Sequence, residues 1–170
     1  MGDIKGSLEA AVDYLTAHPD EARYTDSPAR AVLEEGLRVK VTGSEGHTVT
    51  TDMPPSVGGG GEGPSAGWLL RAALASCEAT LIAMRAAQES VSLGRLEVTV
   101  DSESDDRGIL GIDESVPAGP LSIRVAVSIS ADDGSAEDRV SEIVRWGLAH
   151  CPVSEAAGRA VPVRVEIDAG

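Results

Sequence analysis

From Ser65 to Gln88 the chain reads SAGWLLRAALASCEATLIAMRAAQ, and between Trp68 and Met84 it is apolar almost all the way round a helix. A surface helix carries one apolar stripe, so a helix apolar on nearly every side belongs in an interior. Ser65 is placed to cap it, its hydroxyl accepting a bond from a first-turn amide. The polar exceptions, Arg71, Glu78 and Arg85, recur at a spacing of seven and therefore fall on one line down the helix. Cys77 lies roughly 100° round from that line. The fold has to be one that encloses this helix.

Composition says what can enclose it. Length, at 170 residues, suits one domain with a short appendage: an N-terminal helix and irregular extension over 1–30, then the main domain over 31–170. Only 2% of residues are aromatic and none is Phe, so Val, Ile, Leu and Ala must build the core. A net charge of −14 excludes partners that need phosphate neutralised, so no nucleic acid and no anionic membrane is expected. Three charges interrupt the long helix, which favours a buried soluble helix over a membrane span. The N-terminus MGDIKGSLEA has neither a basic nor an apolar signal region. Two cysteines without an export signal suit a cytoplasmic thiol pair rather than a structural disulfide.

Ile4–Ala17 reads as a short helix with Leu8, Ala11, Val12 and Leu15 on one face, ended by His18-Pro19. Alternation at Leu37, Val39 and Val41, a Gly43–Gly46 turn, and a strand from His47 to Thr51 predict a hairpin. The segment from Asp52 to Gly61 is a loop whose glycines match no phosphate-binding pattern. Beyond the helix, strands are expected at Leu96–Val100 and Leu121–Ile129, separated by an acidic loop over 102–119 with no calcium-site spacing. Ser135-Ala136-Glu137-Asp138 reads as a capping box opening a helix to Ala149. Pro152 suits the first position of a further short helix, making Cys151 its N-cap. Val161, Val163, Val165 and Ile167 alternate as a last strand. Such an order is α+β, with antiparallel sheet wrapping a central helix.

The chemistry rests on Cys77 and Cys151. No CxxC or zinc-ligand spacing joins them, so neither a metal nor a cofactor is expected. A thiol is activated by a helix N-terminus or a neighbouring cation. Cys151 has the terminus, whereas Cys77 lies about three turns into its helix, where the dipole has faded. It would need an arginine from elsewhere. Spacing alone leaves open which cysteine attacks.

Pro64-Ser65-Ala66-Gly67-Trp68-Leu69-Leu70-Arg71-Ala72-Ala73-Leu74-Ala75-Ser76-Cys77, followed far downstream by Cys151-Pro152-Val153-Ser154, resembles the OsmC/Ohr family of osmotically inducible and organic hydroperoxide resistance proteins. Asp52-Met53-Pro54 and Gly58-Gly59 fit as well, and the likeness spans about residues 32–167. The resemblance implies an OsmC-like α+β fold forming an intertwined homodimer. It also implies a thiol peroxidase of oxidative-stress defence, in which the central-helix cysteine, here Cys77, attacks an organic hydroperoxide. Cys151 would then close a redox-active disulfide on it, reduced by a dithiol such as a lipoyl group.

Two positions depart from the family pattern. Active members carry a glutamate ten residues before the helix cysteine, where this chain has Gly67. Their arginine has no clean counterpart; Arg30, Arg38 and Arg107 are the candidates to activate the thiolate, with Glu62 or Glu78 standing in for the carboxylate. The line Arg71, Glu78, Arg85 meets either solvent or its own symmetry mate across a dimer axis. The alternative to a peroxidase is a non-catalytic scaffold of the same fold that binds an apolar small molecule or acts as a redox switch.

Overall fold

A computed structural model describes residues 3–169. The chain divides into two compact units, Gly6–Ala73 and Leu74–Gly170 together with Met1–Lys5. Its helices are α1 (Ile4–Ala17), α2 (Ala66–Gln88), α3 (Asp106–Ile109), α4 (Glu137–Ala149) and α5 (Pro152–Gly158). Its strands are β1 (Ala29–Glu35), β2 (Arg38–Gly43), β3 (Thr48–Thr51), β4 (Leu93–Glu103) and β5 (Ser122–Ala131).

In the first unit, β2 and β3 form the expected antiparallel hairpin, with Val41 opposite Val49. Gly46 adopts a φ of +82° and its amide bonds to the Gly43 carbonyl at 3.2 Å, which closes the turn. A third strand, β1, pairs antiparallel on the outer edge of β2, Ala31 opposite Val41. It went unread because its residues are exposed throughout and so carry no inside–outside alternation. Helix α1 ends at Ala17 as expected; none of its residues is buried, and Val12 on its apolar face is 56% exposed. Of that face only Leu8 is half-buried.

The second unit holds the core. Strands β4 and β5 pair antiparallel over their whole lengths, Val98 facing Val127 and Val100 facing Val125. The β4–β5 sheet lies against α2 and α4, where Ile82, Ala86, Val91 and Ile143 are buried and Leu96, Val98, Val127, Ile129 and Val144 pack on them. Each fully buried Ile contributes about 1.5–3 kcal/mol relative to exposure, which is how a chain without Phe assembles a core. On α2 the buried residues are Leu74, Glu78, Ile82 and Ala86, a single stripe four apart. Within one chain, therefore, the helix is not buried on all sides; Trp68 is 51% exposed. Its length and apolarity would pass for a membrane span, yet the stripe packed against the β4–β5 sheet makes it a core helix of a mixed fold with antiparallel sheets.

Two expectations in this unit fail for local reasons. The capping box does not form: the N-cap of α4 is Ala136, with no side-chain cap. Asp133 instead takes the Ser135 amide at 3.0 Å and the Ser92 amide at 2.9 Å, ordering the turn one step earlier. The terminal Val161–Ile167 strand is absent as well. The segment pairs with no other strand among the described residues, and Val163, Val165 and Ile167 are 83%, 77% and 84% exposed. Alternation makes a segment fit for a sheet, but a strand exists only with a ladder partner.

Candidate active site

The two cysteines converge in the second unit. Cys77 sits midway along α2, half-buried, and Cys151 lies at the junction of α4 and α5, buried at 1% exposure; both are free thiols. Cys151 is the N-cap of α5. With Pro152 at the first position, the next two residues supply free amides, and the Ser154 N–H donates to the Cys151 sulfur at 3.4 Å. The Val153 amide acts on both thiols, and each thiol acts on the other.

These contacts split the pair electrostatically. Burial pushes the Cys77 thiol up, and so do its hydrogen bond to Cys151 and the charges of Cys151 and Glu78, against the Val153 amide alone. Burial also pushes Cys151 up, but Ser154, the Cys77 thiol and the Val153 amide outweigh it and hold Cys151 below an ordinary thiol. Of the two, Cys151 is thus the more acidic thiol and Cys77 the one that keeps its proton longer.

Beside the sulfurs lies a buried carboxylate. Glu78 is 2% exposed, and its Oε1 accepts from the Ser154 hydroxyl at 2.6 Å. Ser154 therefore touches both Cys151 and Glu78. Sequence reasoning passed over Ser154 and the Val153 amide, although Cys-Pro-x-Ser places both at the amide positions that an N-cap uses.

Of the other candidates, Arg38 and Arg107 are engaged elsewhere. Arg38 binds Glu62 at 2.6 Å and reaches Glu34 at 3.6 Å, so the first unit does contain an arginine–carboxylate pair. Arg107 binds Asp105, holding that carboxyl down to about 2, and lies 3.8 Å from Asp113. Arg30 lies on the edge strand β1. On α2, Arg85 pairs with Glu89 at 2.6 Å and sits 5.1 Å from the centre of the Trp146 ring, while Arg71 lies a nitrogen 3.9 Å from where a Cβ on Gly67 would be. No arginine is among the groups acting most strongly on either sulfur.

The glycine run has a structural use. Asp52, 4% exposed, accepts from the amides of Met53 at 2.7 Å, Gly60 at 3.0 Å and Glu62 at 3.2 Å. The anion that this loop cradles is its own aspartate. A Cβ on Gly59 would stand 1.8 Å from the Met53 carbonyl oxygen, so only glycine fits there. The Glu62 amide chiefly, with those of Met53 and Gly60 and the Arg38 charge, holds Asp52 below the usual carboxylate range despite its burial. A depressed carboxyl contributes stability above its unfolded pKa of about 3.9 and loses it as pH falls through the lower folded value. Hydrogen exchange at the Gly60 and Glu62 amides should accordingly stay protected at neutral pH, weaken in acid below about pH 4, and be lost at neutral pH in Asp52→Ala.

Comparison with known proteins places this fold. Residues 59–166 match the family model described as OsmC-like protein. No curated protein matches the sequence. The fold is similar to that of an OsmC-like protein from Mycoplasma pneumoniae (17% identity, 80% of this chain and 89% of that one, TM-score 0.67). It is also similar to an organic hydroperoxide resistance protein OsmC from Legionella pneumophila (21% identity, 79% and 90%, TM-score 0.57). A third likeness is to the organic hydroperoxide resistance protein OhrB of Bacillus subtilis (19% identity, 78% and 90%, TM-score 0.51).

Proposed function

Because the chain belongs to the OsmC-like protein family, we propose that it is a thiol-dependent peroxidase reducing organic hydroperoxides through Cys77 and Cys151. The observation that carries this reading is the pair of free thiols near enough to shift each other's titration, both acted on by the Val153 amide. Cys77 is the more exposed of the two and is the sulfur a substrate reaches. As it attacks the terminal oxygen of ROOH, its proton passes to the Cys151 thiolate, so Cys151 acts first as a base. The O–O bond breaks; Cys77 becomes the sulfenic acid and RO⁻ leaves, taking a proton from solvent. The Cys151 thiol then condenses with Cys77–SOH, forming the disulfide and releasing water. A dithiol, for example a lipoyl group, returns both thiols by exchange. No arginine is required in this scheme, because the thiolate is made by amides and a neighbouring thiol.

The cycle suits the cytoplasm, where dithiol reductants are maintained. It also suits a homodimer: the exposed alternating Val163, Val165 and Ile167 and the wholly exposed edge strand β1 are surfaces that a second copy would cover. Native mass spectrometry tests both parts at once. The expected species is a dimer that loses two hydrogens per chain after one equivalent of an alkyl hydroperoxide, with Cys77 and Cys151 joined in the peptide map. Free thiols after that dose would end the peroxidase reading, and a monomer at micromolar concentration would end the dimer.

A further inference from the structure

Helix α5 is short, and none of its residues is fully buried. Only Val153 and Ser154 are half-buried; Pro152 and everything from Glu155 to Gly158 are exposed. Packing alone therefore gives this helix a narrow seat, and a polar contact has to fix its position beside Cys151. That contact is the Ser154 hydroxyl, which donates to Glu78 Oε1 at 2.6 Å, the length of an O–H bond to a carboxylate. Glu78 is 2% exposed and stands in the α2 stripe with Leu74, Ile82 and Ala86. A leucine would pack there without the cost of burying a carboxyl group. Glu78 Oε2 has no hydrogen-bond partner among the described residues, so the use of this side chain lies in what Oε1 holds.

The backbone of Ser154 meets the sulfur. Its N–H donates to Cys151 Sγ at 3.4 Å. Burial raises the Cys151 thiol, and Ser154 is the foremost of the groups that lower it. We propose that Ser154 is a positioning residue of the thiol pair and that Glu78 is its anchor: the carboxylate fixes the hydroxyl, and the fixed hydroxyl seats the Ser154 amide on Cys151 Sγ. A hydroxyl has one proton to give, and at 2.6 Å that proton is committed to Glu78, which leaves the amide to serve the sulfur. A developing thiolate gains most from a donor whose direction is set before the charge appears. In this way Cys151 becomes the more acidic sulfur without a cation beside it. The device deepens the thiol-pair reading above and rests on it only for the part that Cys151 plays in turnover.

The test titrates Cys151 by thiolate absorbance in a Cys77→Ser background, where it is the one thiol left of two. Against that background, Ser154→Ala should lower the Cys151 ionisation constant about tenfold, as for the loss of one hydrogen bond to a charged group. Ser154→Thr keeps both the hydroxyl and the amide and should restore most of it. Glu78→Leu separates positioning from plain charge. Removing a negative neighbour favours a thiolate, whereas unseating its amide donor disfavours it, so the two effects have opposite signs. The ionisation constant should fall in Glu78→Leu. In Glu78→Gln, which keeps an oxygen for the Ser154 hydroxyl, it should stay at or above its original value. The Ser154 amide proton shift should follow Cys151 ionisation in Glu78→Gln and lose that dependence in Glu78→Leu. An unmoved constant in Ser154→Ala, a rise in Glu78→Leu, an equal fall in both Glu78 variants, or an amide shift that follows ionisation equally in both would overturn the proposal. No hydroperoxide is used, so the outcome is independent of turnover. A protein that shows this pattern but forms no disulfide loses the peroxidase reading alone, and one that forms the disulfide without the pattern loses the positioning alone.

Discussion

Gly147→Val should destabilise the protein by about 3 kcal/mol and abolish the pairing of the cysteines. A Cβ on Gly147 would lie 2.6 Å from Ile82 Cγ1, 2.9 Å from the Ile82 backbone nitrogen and 3.0 Å from its Cα. Two of those three atoms are backbone, so no rotamer change on Ile82 relieves the clash; α4 has to move off α2. Opposing this, replacing a mid-helix glycine gains up to about 1 kcal/mol of helix propensity for alanine and less for valine, which is too little to win. Ile82 and Ile143 are among the largest fully buried side chains, so a separation of these helices opens the core. Cys151 follows the end of α4 by two residues and moves with it. Denaturant unfolding should show a lowered midpoint at unchanged slope, and thiol titration should show Cys151 losing its depressed value. Combining the change with Ile82→Ala should restore little, since the contacts with the Ile82 nitrogen and Cα remain. Full rescue by Ile82→Ala would show that only the side chain resists, and would refute the close-approach argument.

How far the sequence could be read follows from which interactions are local. The β2–β3 hairpin was legible because alternation and a glycine turn act within a few residues, and the Ser65 cap was legible for the same reason: its oxygen takes the Trp68 amide at 3.2 Å. Cys151 as an N-cap was equally readable, since Pro152 leaves little else for that residue to do. Glu78 was not. It belongs to two lines at once, the seven-residue series with Arg71 and Arg85 and the four-residue series Leu74, Glu78, Ile82, Ala86. The first suggests a wet edge and the second a core stripe, and only the packing of α5, which brings Ser154 to the carboxylate, decides for the second. Val161–Ile167 shows the converse, a sound strand pattern with no partner strand among the described residues. Gly147 carried a signal that was passed over: glycine inside a predicted amphipathic helix is costly enough to suggest another backbone close by.

Separate removal of the two sulfurs should produce unequal chemistry from an equal loss of turnover. Cys77→Ser and Cys151→Ser should each lower dithiol-driven peroxidase turnover by a factor on the order of a thousand or more, and the double variant should lose no more than either single one, as groups acting as a unit do. Their single-turnover behaviour separates the roles. Cys151→Ser retains the more exposed sulfur and should consume one equivalent of hydroperoxide slowly, stopping at a trappable sulfenic acid on Cys77. Cys77→Ser should consume almost none, because Cys151 is 1% exposed. The thiol titrations must also move in opposite directions. The Cys77 thiol is raised by burial, by its bond to Cys151 and by the Cys151 and Glu78 charges. Removing Cys151 deletes two of these, so the value for Cys77 should fall. Cys151 is lowered in part by the Cys77 donor. Cys77→Ala should therefore raise its value, while Cys77→Ser, which keeps a donor, should raise it less. Thiolate absorbance against pH reads all three variants. A Cys77 value that stays put without Cys151 would mean that the sulfurs do not share a proton, and Cys151 could not then be the base that readies Cys77 for attack.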